Sequence, residues 1–240
     1  MLELQPHFLL HRRPWSNTSL LVELLSQEGL RYPAVAKGAR AGRALGAALL
    51  QPFRPLLVAV TGRGEVRTVR SLDAAGPPFP LNGEALYCGF YVNELLVRLL
   101  GRYDPHEGLF RLYQEVLTGL ALGKDLQQGL RRFELGLLQL LGYGMLLDQE
   151  PLGAGAVVPE RRYLYRIESG PEPASPDTPE HQTLSGATLI ALAQGKPLDP
   201  TAMREARSLM RRVLDHYLGG RPLRSRELFA GAAYHPSTKG

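Results

Sequence analysis

The sequence predicts an α+β fold with segregated elements: a five-stranded barrel over residues 1–76, a linker at 77–80, a mainly helical C-terminal domain over 81–232 and a flexible tail at 233–240. Three observations predict it. Strand-type runs fill the first part of the chain and helix-period runs the rest, without the alternation of a doubly wound sheet. Between them, Gly76-Pro77-Pro78-Phe79-Pro80 can neither continue a strand nor open a helix cleanly, because consecutive prolines remove donors and bias their predecessors to extended conformations. A chain of 240 residues with 44% hydrophobic side chains can also bury a real core, in one large domain or two small ones.

The strands come first. Pro6 to His11, Ser19 to Leu25 and Arg31 to Lys37 are rich in Leu, Val and aromatic residues, with Pro14, Asn17 and Gly29 as punctuation between them. Gly38-Ala39-Arg40-Ala41-Gly42-Arg43 reads as a small cationic loop. Phe53 to Val60 and Glu65 to Leu72 follow, joined by Gly62-Arg63-Gly64, a tight-turn signal. Five short strands at this spacing suit a small closed barrel. The OB-fold is the five-stranded barrel most used on nucleic acid; an SH3-like barrel gives much the same pattern.

Helical periodicity takes over after the prolines. Asn82 caps a helix carrying Leu86, Phe90, Val97 and Leu100, which stops near Gly101. Asp104 as N-cap, Pro105 at the first helical position and Glu107 in the first turn open a second, through Leu109, Leu112, Val116 and Leu120. Asp125 with Gln128 resembles a capping box and opens a third, with Leu130, Phe133, Leu137 and Leu141 along it and Gly142 and Gly144 at its end. Residues 142–182 form an irregular insertion: Gly-rich, then a strand pair around Arg161 to Ile167, then a surface loop from Ser169 to Pro179. Ser185 caps a short helix ending at Gly195. Asp199-Pro200 opens the last helix, with Met203, Ala206, Met210, Val213 and Tyr217 on one face and Gly219-Gly220 as its stop.

Charge is distributed unevenly. The formal net charge is +5, and residues 1–70 hold ten Lys and Arg against four Asp and Glu. Residues 71–200 reverse the balance with ten against sixteen, and 201–227 restore it with seven against three. Basic surfaces at both ends of an acidic middle make a polyanion the natural partner, although solubilising charge gives the same counts. The single cysteine, Cys88, sits among Leu86, Tyr87 and Phe90 and reads as a buried structural thiol. A lone thiol fits a reducing compartment; the apolar run near Met1 is too short for a signal peptide, and none approaches a membrane span. These features place the protein in the cytoplasm, without a membrane partner.

Catalytic and cofactor motifs are missing from the sequence. His7 and His11 are four apart on a strand, too distant to chelate readily, and no H-E-x-x-H or Cys-x-x-Cys is present. Gly38, Gly42 and Gly46 lack the Gly-Lys-Ser/Thr of a P-loop. The expectation is a protein that is not an enzyme and holds neither cofactor nor metal. Binding chemistry is better represented. Arg12, Arg13, Lys37, Arg40, Arg43, Arg54, Arg63, Arg67 and Arg70 are cations of the barrel, interleaved with Trp15, Tyr32 and Phe53. Cations that track phosphates beside aromatic faces that stack on bases are what sequence-tolerant single-strand binding requires, unless the aromatics fill the barrel core. Arg204, Arg207 and Arg211 form a basic stripe at i, i+3 and i+7, with Asp215 placed to pair with Arg211, and Arg221, Arg224 and Arg226 follow in a loop. Arg131, Arg132 and Phe133 are either a solvated helix edge or a groove for a short acidic peptide ending in a hydrophobic residue.

Seven segments together resemble the bacterial RecO family of recombination mediators. They are Arg13-Pro14-Trp15-Ser16, Val35-Ala36-Lys37-Gly38-Ala39-Arg40, Leu50-Gln51-Pro52-Phe53, Gly62-Arg63-Gly64-Glu65, Tyr91-Val92-Asn93-Glu94-Leu95-Leu96, Leu130-Arg131-Arg132-Phe133-Glu134 and Ser225-Arg226-Glu227-Leu228-Phe229. The resemblance implies an OB-fold before a helical domain, and a nucleoid-associated role in the RecF pathway of repair. It implies binding of ssDNA and dsDNA, annealing of complementary strands, and help in loading RecA, together with RecR, onto DNA coated with single-strand-binding protein (SSB), with the need for RecF left open. The acidic C-terminal tail of SSB is then the implied partner of Arg131, Arg132 and Phe133. Many such proteins carry a four-cysteine zinc module, whereas the stretch here, roughly Gly142 to Gly170, has no cysteine, so no zinc is expected and packing alone must hold it. A non-catalytic adaptor whose basic surfaces dock acidic proteins is the competing expectation, and a nuclease with an unrecognised site is a second.

Overall fold

Residues 3–40 and 47–232 are described by the computed structural model. The N-terminal runs form β1 (Gln5–Pro14), β2 (Leu20–Ser26), β3 (Arg31–Ala36), β4 (Pro55–Thr61) and β5 (Arg67–Ala74). They close into a barrel in the order β1-β2-β3-β5-β4, with β1 antiparallel to β4 and β3 parallel to β5. Closure leaves no sheet edge free for an unwanted strand. Irregularities between Leu9 and His11 and between Ala59 and Val60 supply local twist where a small barrel must bend. The alternate residues Leu9, Val22, Leu24, Tyr32, Ala34, Leu56 and Val58 point inward, and Leu50 packs with them.

The rest of the chain adds helices and a small sheet. In order these are α1 (Gly83–Leu99), α2 (Leu109–Leu122), α3 (Leu126–Leu140), β6 (Gln149–Glu150), β7 (Gly155–Ala156), β8 (Arg162–Arg166), β9 (Gly170–Pro173), β10 (Thr183–Ser185), α4 (Gly186–Ala193), α5 (Pro200–Tyr217) and α6 (Ser225–Ala232). Contacts divide the chain into two compact units, Met1–Lys124 with Leu223–Gly240, and Asp125–Pro222. This division falls later than the linker expected at 77–80, because α1 and α2 pack on the barrel.

In the first unit the outer face of β1 is covered. Phe8 lies 5.1 Å from Phe110 and 4.9 Å from Tyr113, both on α2, measured between ring centres. Asn93 on α1 donates from Nδ2 to the Leu10 carbonyl at 2.9 Å and accepts from the Tyr113 hydroxyl at 2.6 Å. Arg31, buried, donates to Glu23 and to the Leu100 carbonyl, tying β3 to the end of α1. The helix expected to open at Asp104 starts at Leu109 instead. Residues 102–106 are held in bridges to the β2–β3 turn, where Tyr103 N–H donates to the Arg31 carbonyl and Pro105 faces Leu30. Gly29 is required in that turn: its φ is 78°, and a Cβ would meet the His106 carbonyl oxygen at 2.1 Å. The Arg221–Arg226 stretch, expected as loop, runs into α6, and Glu94 of α1 accepts hydrogen bonds from the Arg224 and Ser225 backbone N–H groups and the Ser225 hydroxyl.

The second unit contains a three-stranded sheet of order β10-β8-β9, so the loop expected from Ser169 begins as a strand. Tyr163 and Tyr165 are buried beneath it. Glu205 of α5 gathers the unit, accepting from Arg162 Nη1 at 2.5 Å, Thr188 Oγ1 at 2.6 Å and Ser185 N–H at 3.0 Å. Ser185 caps α4 and Asp199 caps α5 through their side chains, as their positions in the sequence require. Asp125 and Gln128 do not form the expected capping box. Asp125 is left-handed, and Gln128 instead accepts from Leu198 N–H and donates to the Lys196 carbonyl.

Replacing Tyr113 by Phe removes the donor to a buried amide oxygen at constant packing. It should destabilise the protein by about 1–2 kcal/mol, read as a lower urea midpoint with an unchanged slope.

Candidate nucleic-acid interface

Barrel closure gathers cations that are far apart in sequence. The β1–β2 turn is closed by Trp15 N–H to the Ser19 carbonyl and Ser19 N–H to Ser16 Oγ. Arg40 then docks on it, with its backbone N–H on the Thr18 carbonyl and Nη1 on the Ser16 carbonyl at 2.7 Å. Arg12 at the end of β1 donates to the Leu50 carbonyl at 2.7 Å. Arg12, Arg13, Lys37 and Arg40 all reach solvent here, and Trp15 is 54% exposed. An exposed indole costs hydrophobic free energy unless it has a partner, and a base face is such a partner.

A second set follows β5. Arg70 is exposed, held by Nε on Thr61 Oγ1 at 2.8 Å, and lines with Lys37, Ala39, Leu50 and Val69 a cavity of about 180 Å³ between the ends of β3 and β5. Arg63 is exposed on the β4–β5 turn. Arg67 is half-buried, its guanidinium 4.4 Å from the centre of the Tyr32 ring and 5.2 Å from that of Tyr103. Arg43 lies outside the described residues.

Two of the three aromatics offered for stacking on bases are core instead. Tyr32 is 1% exposed, and burial pushes its phenol up to about 12 against the opposing effect of Arg67. His7 Nδ1 faces the Gln5 carbonyl at 2.8 Å and must donate to it; burial lowers the His7 pKa, so the neutral ring accepts the Tyr32 proton at Nε2, 2.6 Å away. Phe53 is buried and packs on Phe90, with ring centres 5.3 Å apart. Tyr32 fills the barrel interior, whereas Phe53 fills the space between the barrel and α1, against Gly89 and Phe90.

The second basic region of the sequence is split between the units. Arg204, Arg207 and Arg211 are exposed on α5, whose Ala206, Met210 and Val213 face inward. Arg204 bonds Thr201 Oγ1, and Arg211 is 3.8 Å from Asp215. Arg224 and Arg226 belong to the first unit, the former exposed and the latter half-buried on α6.

The expected peptide groove on α3 is revised. Phe133 is 1% exposed and Arg131 is buried against Glu134, its Nη2 at 2.5 Å from Oε1. On the helix these positions face inward, where a cation survives only when paired. Arg132 alone is exposed, donating to the Gly195 carbonyl at 3.2 Å. Sequence reasoning also missed Tyr103, which sits in a turn and carries no periodicity signal. Among the described residues no cluster of three His, Cys, Asp or Glu is placed to hold a metal. None of the described helices is long and apolar enough to cross a membrane. Cys88 is fully buried in α1.

A closed five-stranded barrel followed by helices defines an α+β protein of the OB type. Comparison with known proteins names the family. Residues 1–77 match the recombination protein O N-terminal family and residues 80–227 its C-terminal counterpart, meeting at the proline-rich segment. The chain is 47% identical to the DNA repair protein RecO of Methylococcus capsulatus over 94% of its own length and 92% of that protein. The corresponding figures for the RecO of Nitrosospira multiformis are 45%, 94% and 94%, and for that of Nitrosococcus oceani 44%, 94% and 92%. The chain belongs to the RecO family, and its general role lies in DNA repair and recombination.

Replacing Arg131 by Met should destabilise the protein by about 3–5 kcal/mol, since it strips a buried carboxylate of its guanidinium. A thermal melt and a denaturant titration of the variant check this.

Proposed function

We propose that this protein is a non-catalytic recombination mediator that binds ssDNA and dsDNA, anneals complementary strands and, with RecR, helps load RecA onto SSB-coated DNA. The observation that carries the reading is the run of exposed cations Arg12, Arg13, Lys37, Arg40, Arg63 and Arg70 on one small barrel beside an exposed Trp15. Guanidinium groups grip phosphate with a planar fork, and an indole gives any base a stacking surface, so such a path holds a strand without reading its sequence. Annealing needs a second strand held at the same time. The exposed stripe Arg204, Arg207 and Arg211 on α5 supports that, as a phosphate-binding surface of its own. Contact with the SSB tail falls to Arg132, the exposed member of the three residues first considered. RecF and RecA enter as partners through the family likeness.

Fluorescence anisotropy with a labelled oligothymidine tests the binding. Affinity should fall linearly in log salt, with a slope near −0.7 per neutralised phosphate. Trp15→Ala should weaken binding by about 1–3 kcal/mol while leaving that slope unchanged, because it removes stacking and no charge. Salt-independent binding, or binding of acidic peptides in preference to DNA, favours the adaptor reading. Faster pairing of complementary labelled strands in the presence of the protein, without cleavage, tests annealing.

A further inference from the structure

At the β4–β5 turn, Arg63, Gly64, Glu65, Arg67 and Tyr103 enclose an open cavity of about 290 Å³. Among the described residues no carboxylate lies within 4 Å of either guanidinium, so their charge is not spent on an ion pair. Arg67 is braced by Tyr32 and Tyr103, whose rings stack at 5.8 Å and 10° with the guanidinium near both. Such packing removes rotamer freedom from an arginine before any ligand arrives, which lowers the entropic cost of binding. Tyr103 comes from the segment between α1 and α2, outside the barrel. Its hydroxyl reaches the carbonyls of Glu65 at 2.8 Å and Gly64 at 3.3 Å, and its backbone N–H donates to the Arg31 carbonyl. Its φ of 61° is an uncommon conformation for a tyrosine, sustained by the bridges on either side.

We propose that this cavity is a phosphate-binding subsite of the DNA path, formed by Arg63 and Arg67, and that Tyr103 is its positioning residue. The hydroxyl holds the turn that carries Arg63, and the ring holds Arg67, so one side chain sets both cations against the same anion. The inference rests on DNA binding by the barrel. Glu65 also faces the cavity; its carboxylate opposes the phosphate, and Glu65→Gln should tighten binding.

The test uses the full-length protein and a labelled oligothymidine in a salt series, with Tyr103→Phe, Arg63→Ala and the double variant. Tyr103→Phe keeps the ring stack and removes only the hydroxyl. It should weaken binding by about threefold to tenfold, the equivalent of up to one net hydrogen bond, with at most a small fall in melting temperature because the bond lost is solvent-exposed. It should also speed amide hydrogen exchange over residues 62–66. Arg63→Ala should make the salt slope shallower by about 0.7, and in its background Tyr103→Phe should have no further effect on affinity. An equal loss in both backgrounds, or no loss in either, overturns the positioning role. An unchanged slope in Arg63→Ala overturns the subsite while the rest of the DNA path stands. If the unmodified protein itself binds without salt dependence, the failure is of DNA binding by the barrel and is told apart at once.

Discussion

A barrel of five strands has room inside for one layer of side chains, and that constraint propagates through the whole first unit. Tyr32 must be accommodated, so its hydroxyl is satisfied by His7 and its outer ring face by Arg67 and Tyr103. Phe8, next to the inward Leu9, must point out, and a buried phenylalanine outside the barrel demands a cover. Helices α1 and α2 provide it through Phe110, Tyr113 and Asn93. The helices therefore complete the barrel's packing, which is why the boundary between compact units lies beyond them although the family models meet at the prolines. The helices cover only the His7–Leu10 part of β1, and its end from His11 to Pro14, with Arg12 and Arg13, stays in solvent.

Arginine is used in this protein in two physically distinct ways. Arg31 and Arg131 are buried, each held by a carboxylate, and they lock elements together. Removing either partner leaves the other charged in a poor solvent, so these pairs cost more to break than they contribute intact. Arg12, Arg13, Arg40, Arg63 and Arg70 keep their guanidinium groups in water, where hydrogen bonds to carbonyls or hydroxyls orient some of them without cancelling their charge. Oriented, uncompensated cations are what a phosphate backbone can use. Arg67 stands between the two classes, braced by aromatic rings with its charge intact.

The second unit solves a different problem. Its irregular stretch after α3 has to be ordered without cysteine ligands, and the buried Tyr163 and Tyr165 with the hydrogen bonds converging on Glu205 do this. Burial opposes a charged Glu205, yet hydrogen bonds from Thr188, Ser185 and Arg162 hold its pKa below the ordinary carboxylate range. Helix α5 thereby serves two purposes, with its inner face and Glu205 organising the unit and its outer face presenting Arg204, Arg207 and Arg211.

Much of this was legible in the sequence because local physics decides it. Strand alternation and turn glycines located all five barrel strands, and the caps at Ser185 and Asp199 located α4 and α5, since those signals depend on residues within a turn of one another. The seven family segments and the excess of cations at the N-terminus pointed to DNA. What remained hidden depends on partners distant in the chain. The start of α2 moved because residues 102–106 bridge to the β2–β3 turn, and the α3 capping box failed because Gln128 found the 196–198 loop. Arginines cannot be sorted into buried and exposed from spacing alone. Arg131 and Arg132 are neighbours in sequence, yet a helix turns successive side chains by about 100°, sending one inward to Glu134 and the other to solvent. Sequence by itself determined the barrel strands, most of the helices and the family; tertiary structure alone decided which cations are buried in pairs and which stay in solvent, because burial and pairing are settled only when distant segments pack.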